Sequence, residues 1–132
     1  MASVAASCGS RSRHGWGSAP TGLNVLGVNA NVLSSRREGG GGGGGGGSNA
    51  IYVTAWDVIA AGTTNFTFEY GTGTNCVAGT TALTGPYGLV AQFGAAKGSG
   101  LGPVLVVPAG NALCAVNSAT VQVSGSLAYT QF

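Results

Sequence analysis

Residues 65–70 read Asn-Phe-Thr-Phe-Glu-Tyr, and polar and apolar side chains alternate at every position of this stretch. Successive side chains of a β-strand point to opposite faces of its sheet. The alternation therefore predicts a strand that places Phe66, Phe68 and Tyr70 together on one face. The three polar residues then lie on the opposite face.

The chain after residue 49 keeps this strand-like character. Segment 51–59 is rich in β-branched and aromatic residues, and segments 112–116 and 121–132 are also predicted strands. Prolines bound segment 103–108, which places that strand near a sheet edge. About seven strands follow one another at a spacing of roughly ten residues, without a convincing helix. The predicted fold is an all-β, antiparallel β-sandwich, jelly-roll-like or immunoglobulin-like (Ig-like).

Glycines and prolines predict the connections between these strands. Residues 94–102, with Lys97 in the middle, are predicted to form a loop. Residues 109–111, Ala-Gly-Asn, are predicted to form a hairpin turn into segment 112–116. Gly125 interrupts the last strand, which suggests a β-bulge or a twist there.

A run of nine glycines divides the chain. We predict an N-terminal tail or arm over residues 1–38, a polyglycine linker over 39–48 and a β-sandwich domain over 49–132. Glycine has no side chain to bury and much backbone entropy to lose, so the linker is expected to act as a flexible tether. Residues 23–33 have a crude strand-like pattern, either an extended arm that pairs with a neighbouring chain or no structure at all. We therefore expect residues 1–48 to be dispensable for folding.

Charged residues are nearly absent from the predicted domain. Only Asp57, Glu69 and Lys97 are charged after the glycine run. A surface of hydroxyls and amides is unusual for a free cytosolic protein and suits a chain that packs against copies of itself or lies outside cells. The four arginines all precede the glycines. They are read as a solvated tail, so nucleic acid is not an expected partner.

The three cysteines are Cys8 in the tail, and Cys76 and Cys114 in the domain. A zinc site would need paired cysteines and histidines, and the one histidine, His14, lies in the tail. Cys76 and Cys114 are therefore either a disulfide or two buried thiols. We favour the disulfide, since a small domain that faces an oxidising exterior gains stability from one.

No catalytic constellation is evident. A hydrolytic triad would need a histidine in the domain, and the glycine-rich stretches do not have the order of a dinucleotide or phosphate loop. Asp57 and Glu69 are two carboxylates on adjacent predicted strands, as in a glycosidase pair. We do not favour such a pair, because a glutamate on the polar face of a strand needs no catalytic explanation. We expect no enzyme, no cofactor, no metal and no membrane span, and we identify no secretory signal.

Aromatic residues are the remaining candidates for binding. Tyr52, Trp56, Tyr70 and Tyr87 could form a platform on which a carbohydrate stacks, although aromatic residues of small β-domains are more often core. Trp56 or Tyr129 could equally be buried between subunits. The candidate interface or glycan-facing residues are thus Tyr52, Trp56, Tyr87 and Tyr129.

Seven short motifs spread over residues 51–132 carry a resemblance to known proteins: Ile-Tyr-Val-Thr at 51–54, Phe-Glu-Tyr-Gly-Thr-Gly-Thr-Asn-Cys at 68–76, Thr-Ala-Leu-Thr-Gly at 81–85, Gly-Leu-Gly-Pro-Val-Leu at 100–105, Gly-Asn-Ala-Leu-Cys at 110–114, Val-Gln-Val-Ser-Gly-Ser at 121–126 and Tyr-Thr-Gln-Phe at 129–132. With these motifs the domain resembles a family of small virion structural proteins encoded by tailed bacteriophages and prophages. The family has cysteines where Cys76 and Cys114 lie, which implies that the two are paired. Residues 1–48 do not match it.

The resemblance implies a non-enzymatic accessory of the virion exterior, such as a capsid decoration or fibre protein. Its partners would be identical subunits, with a trimer as the expected stoichiometry, and other virion proteins. The scarcity of charge also predicts self-assembly, with little dependence on salt. The alternative is an extracellular carbohydrate-binding or adhesion module, which would be a monomer that binds glycans.

Overall fold

The computed structural model describes residues 21–26, 29–34, 49–98 and 100–132. Within these ranges the chain forms strands, one short 3-10 turn and no α-helix. The ten strands are β1 Thr21–Leu26, β2 Asn29–Ser34, β3 Ile51–Ala60, β4 Thr64–Thr72, β5 Ala78–Ala82, β6 Tyr87–Leu89, β7 Gly94–Gly98, β8 Leu105–Val107, β9 Ala112–Asn117 and β10 Gln122–Gln131. The 3-10 turn, η1, spans Thr74–Cys76.

The strands form two antiparallel sheets of five strands each. The front sheet has the order β1-β10-β3, and both β7 and β8 pair with the far side of β3. The back sheet has the order β2-β9-β4, and both β5 and β6 pair with the far side of β4. The pairs β1–β10, β2–β9, β3–β7/β8 and β4–β5/β6 are nested like those of one long, rolled hairpin. This is the order of a jelly roll, so the structure confirms the predicted sandwich.

The core lies between the two sheets and accounts for the alternation of polar and apolar side chains at residues 65–70. Phe66 and Phe68 of β4 are fully buried, and Tyr70 packs partly against the same cluster, as the alternation predicts. The ring centroids of Phe66 and Phe68 lie 4.9 Å apart, and the two ring planes are nearly perpendicular. The front sheet supplies the opposing side chains, among them Ile51, Val53, Val58, Val107, Val123 and Leu127.

Part of the segment before the glycine run belongs to the sandwich. Strand β1 pairs with β10, and β2 pairs with β9 of the same chain. Leu33 of β2 is buried in the core. The segment predicted as a tail or arm over residues 1–38 therefore contains two strands of the fold, and both pair within the chain. Neither alternative for residues 23–33, an arm paired with a neighbouring chain or no structure, describes them. The expectation that residues 1–48 are dispensable for folding is therefore wrong for residues 21–34. Residues 1–20 and the linker over 39–48 lie outside the described residues.

Two predicted connections are wrong. Lys97 lies on edge strand β7, in register with Trp56 of β3, and not in a loop. The turn over residues 109–111 joins β8 of the front sheet to β9 of the back sheet, so it is a crossover and not a hairpin. The prolines that bound β8 do mark an edge, as predicted, since β8 pairs only with β3.

Gly125 lies within a continuous β10 and is required by a close approach. A Cβ at Gly125 would overlap the carbonyl oxygen of Asp57 and lie 2.9 Å from the Cα of Val58. The β-bulge of this strand pair lies elsewhere, where Ala128 and Tyr129 pair with Ala55 and Val53. One extra residue of β3, Thr54, is therefore accommodated at this point.

Candidate functional site

The outer face of the front sheet carries two shallow depressions. The first, here called the Tyr52 groove, has a volume of about 540 Å³ and is lined by Tyr52, Thr54, Ala55, Gly98, Gly100, Leu101, Gly102, Pro103, Thr130 and Phe132. The second lies near the opposite end of β3 and is lined by Ile59, Ala60, Ala61, Gln92, Gln122, Ser124 and Gly125. No charged side chain lines either depression.

An aromatic pair forms one wall of the Tyr52 groove. The rings of Tyr52 and Phe132 stack with centroids 4.8 Å apart and planes 18° from parallel. Phe132 remains 72% exposed, and Leu101 on the opposite wall is completely exposed. The backbone N–H of Ala50 donates to the carbonyl oxygen of Phe132 at 3.2 Å, which holds the end of β10 beside the start of β3.

Asp57 lies between the two depressions along β3. Its Oδ1 accepts a hydrogen bond from the Ser126 hydroxyl of β10, and both residues are half-buried. The two residues pair in register across the sheet, so the bond follows directly from the strand alignment. Glu69 lies on the back sheet, so the two carboxylates of the domain are on different sheets.

The predicted binding aromatics do not share an exposed surface. Tyr52 lies in the groove, but Trp56 is only 3% exposed and contacts Phe68 and Tyr87 edge-on in the core, with ring centroids 5.3 Å away in each case. Tyr87 and Tyr129 are half-buried and pack against the same core. The prediction that Trp56 faces a glycan or a subunit is wrong, because its side chain points inward.

The sequence did not identify the exposed large apolar residues of the described chain, which are Phe132, Leu101, Val77, Val106 and a group at the other end of the front sheet. That group, here called the end patch, consists of Ile59, Val90 and Phe93, which are 56%, 49% and 69% exposed. Phe93 directly precedes Gly94, the register partner of Ile59. A tight turn brings Val90 close, since the Phe93 N–H donates to the Val90 carbonyl oxygen at 3.0 Å.

The structure confirms the disulfide between Cys76 and Cys114, whose Cα atoms lie 6.3 Å apart. Both cysteines are buried together with Ala112 in a small cluster separate from the main core. Cys114 is in register with Glu69, an outward residue of β4, so the bond lies on the outer side of the back sheet. It ties the turn η1 to β9.

Two further properties concern the described residues alone. They contain no group of three or more histidine, cysteine, aspartate or glutamate side chains that could hold a metal ion. None of their helical segments has the length and apolar character needed to cross a membrane.

Comparisons with protein-family models, with curated proteins and with solved structures found no match to this chain. The class of the protein therefore rests on its own strand order, which is that of a jelly-roll β-sandwich. Within that class, the outer face of the front sheet is the candidate functional surface.

Proposed function

We propose that this protein is a non-enzymatic structural component of a bacteriophage particle, carried on the virion exterior, that acts by self-assembly. The observation that carries the proposal is the end patch on a domain almost without charge. Large apolar side chains on a monomeric protein are normally scattered. The backbone brings three exposed ones near each other here, which makes the end patch a candidate contact site.

The end patch is suited to contact with an identical chain. The depression beside it is lined by small, apolar and amide or hydroxyl side chains, without a charge. Burying such a surface requires no charge to be removed from water, which keeps the desolvation cost low. A partner that contacts this surface needs no complementary charge, so an identical copy of the same surface can serve as the partner.

Contact through faces fits this domain better than pairing of strand edges. Lys97 lies on edge strand β7, and a lysine on an edge strand opposes pairing with another chain. On the β5 edge of the back sheet, Gly79 has a φ of 62°, and the β4–β5 register shifts between Tyr70 and Thr72. Such irregularities also discourage an added strand.

Two further arguments support the virion part of the proposal. Residues 51–132 resemble small virion proteins of tailed phages in the motifs given above. Jelly rolls are also frequent in viral capsids, although they occur in lectins and enzymes too, so the fold alone does not give a function. Mass spectrometry of purified phage particles from a host that carries the gene tests this part. The proposal predicts the chain in intact particles and is overturned if it occurs only in the lysate.

The self-assembly part is tested by the substitution Phe93→Ser in the full chain. We expect the wild-type chain to sediment as a homo-oligomer, with a trimer as the proposed stoichiometry, and the variant to shift to monomer. Phe132→Ser is the matched control, because Phe132 is 72% exposed and Phe93 is 69% exposed. A control that dissociates while Phe93→Ser stays assembled would place the contact elsewhere and refute the end patch.

A further inference from the structure

We propose that the Tyr52 groove binds a neutral saccharide. The groove is remote from the end patch along β3, so this binding site is separate from the proposed subunit contact. The inference does not rest on the proposed function, since a virion accessory and a free extracellular domain could both carry the site.

The shape of the groove favours a small ligand. Its volume of about 540 Å³ falls within the usual range of roughly 300–1,000 Å³ for small-molecule sites. One wall is the stacked pair Tyr52 and Phe132, and the other is formed by Leu101 and its glycine neighbours.

The aromatic wall suits a sugar ring. Because Tyr52 stacks on one side of Phe132 and Phe132 is still 72% exposed, much of the Phe132 ring is open to a ligand. The face of an aromatic ring carries negative charge density. A pyranose presents a patch of weakly positive C–H groups on one side of its ring, which complements this face.

Hydroxyl groups supply the polar contacts that a sugar needs. Tyr52, Thr54 and Thr130 line the groove and carry hydroxyls. The Thr54 hydroxyl donates to the carbonyl oxygen of Ala128 at 3.3 Å, and its oxygen still has acceptor capacity for a sugar hydroxyl. The lining contains no charged residue. An anionic sugar or a nucleic acid would find no cation there, so the site favours neutral ligands.

The experiment is ligand-detected NMR and calorimetric titration of the full chain with maltotriose, cellotriose, chitotriose and lactose. We expect at least one of them to bind, and Phe132→Ala to weaken that binding by roughly tenfold or more, as loss of an aromatic stacking partner does. Val77→Ala is the control and should bind as the wild type does, because Val77 is 78% exposed and lies outside both the Tyr52 groove and the end patch. Tyr52→Phe, which keeps the ring and removes the hydroxyl, should weaken binding less than Phe132→Ala.

Three results would overturn the inference. The first is that none of the four saccharides binds the wild-type chain. The second is that Phe132→Ala binds with unchanged affinity while circular dichroism shows it folded. The third is that Phe132→Ala dissociates the oligomer and no saccharide binds, which would assign the groove to a subunit contact. If Phe132→Ala does not fold, Tyr52→Phe decides, and its unchanged affinity for the bound saccharide counts against the site.

Discussion

Removing the disulfide with the double substitution Cys76→Ala and Cys114→Ala should weaken the domain without changing its core. The bond lies outside the main core, where Cys76, Ala112 and Cys114 form their own buried cluster. The main core and this small cluster share no residue, so the front sheet and the phenylalanines of β4 keep their contacts. The expected result is a folded jelly roll with reduced stability.

The magnitude follows from the loop that the bond closes. For a sequence separation of 38 residues, the loop-closure model gives about 4 kcal/mol. Cys76 has a φ of 53°, a left-handed conformation that costs a non-glycine residue roughly 1 kcal/mol. The turn η1 can relax from that conformation once the bond is gone. The net loss of unfolding free energy is then about 3 kcal/mol, which lowers the Tm by roughly 12–24 °C for a domain of this size.

The assay is urea and thermal denaturation of the double variant and the wild type at equal protein concentration, since assembly also affects the Tm. Wild-type protein treated with a phosphine reductant is the control and should approach the variant's stability. A change below about 1 kcal/mol would refute the reasoning. An unfolded variant would do so as well, because it would show that the core depends on η1.

Three further predictions concern the strands. Gly125→Ala should destabilise the domain by about 3 kcal/mol or more, since the added Cβ lies 2.9 Å from the Cα of Val58. Gly98→Ala is the control and should change the stability in urea little, because its Cβ would lie 3.5 Å from that of Ala55. A chain that starts at residue 35 should aggregate or lose at least about 3 kcal/mol of unfolding free energy, because β9 and β10 lose their partner strands and the core loses Leu33. A chain that starts at residue 21 should melt like the full chain. If both shortened chains melt at the same temperature, the role of β1 and β2 is contradicted. Trp56→Phe should cost about 2 kcal/mol, because the smaller ring leaves a cavity in the core while the buried indole N–H has no hydrogen-bond partner among the described residues. A loss above about 4 kcal/mol in urea denaturation would contradict this, since it would require a broken hydrogen bond as well.

Local patterns that match a single physical cause were predictable. The alternation at residues 65–70 identifies β4 and its buried face, because β9 pairs with β4 in a continuous register over residues 66–71. The prolines around β8 identify an edge, since proline has no N–H for a second partner strand. The disulfide was favoured from composition and resemblance, and the structure confirms it.

Features that depend on distant partners were not predictable. Strict alternation from Ile51 and Val53 places Trp56 on the outer face, but the bulge at Thr54 shifts the pattern by one residue and turns Trp56 inward. The candidate platform of Tyr52 and Trp56 fails for this reason. Strands β1 and β2 have a weak pattern of their own and are strands because β10 and β9 offer unpaired edges. The sequence around Phe132 did not mark it as a candidate binding residue, because its place in the Tyr52 groove depends on stacking against Tyr52.

With only three charged residues after the glycine run, the domain is proposed to assemble with itself through apolar contacts. Sedimentation velocity of the full chain at micromolar concentration, at about 50 mM and about 1 M sodium chloride, tests it directly. We expect the same homo-oligomer at both salt concentrations, because no ion pair contributes to the proposed contact. A monomer at low salt, or an oligomer that dissociates as the salt concentration rises, would contradict it.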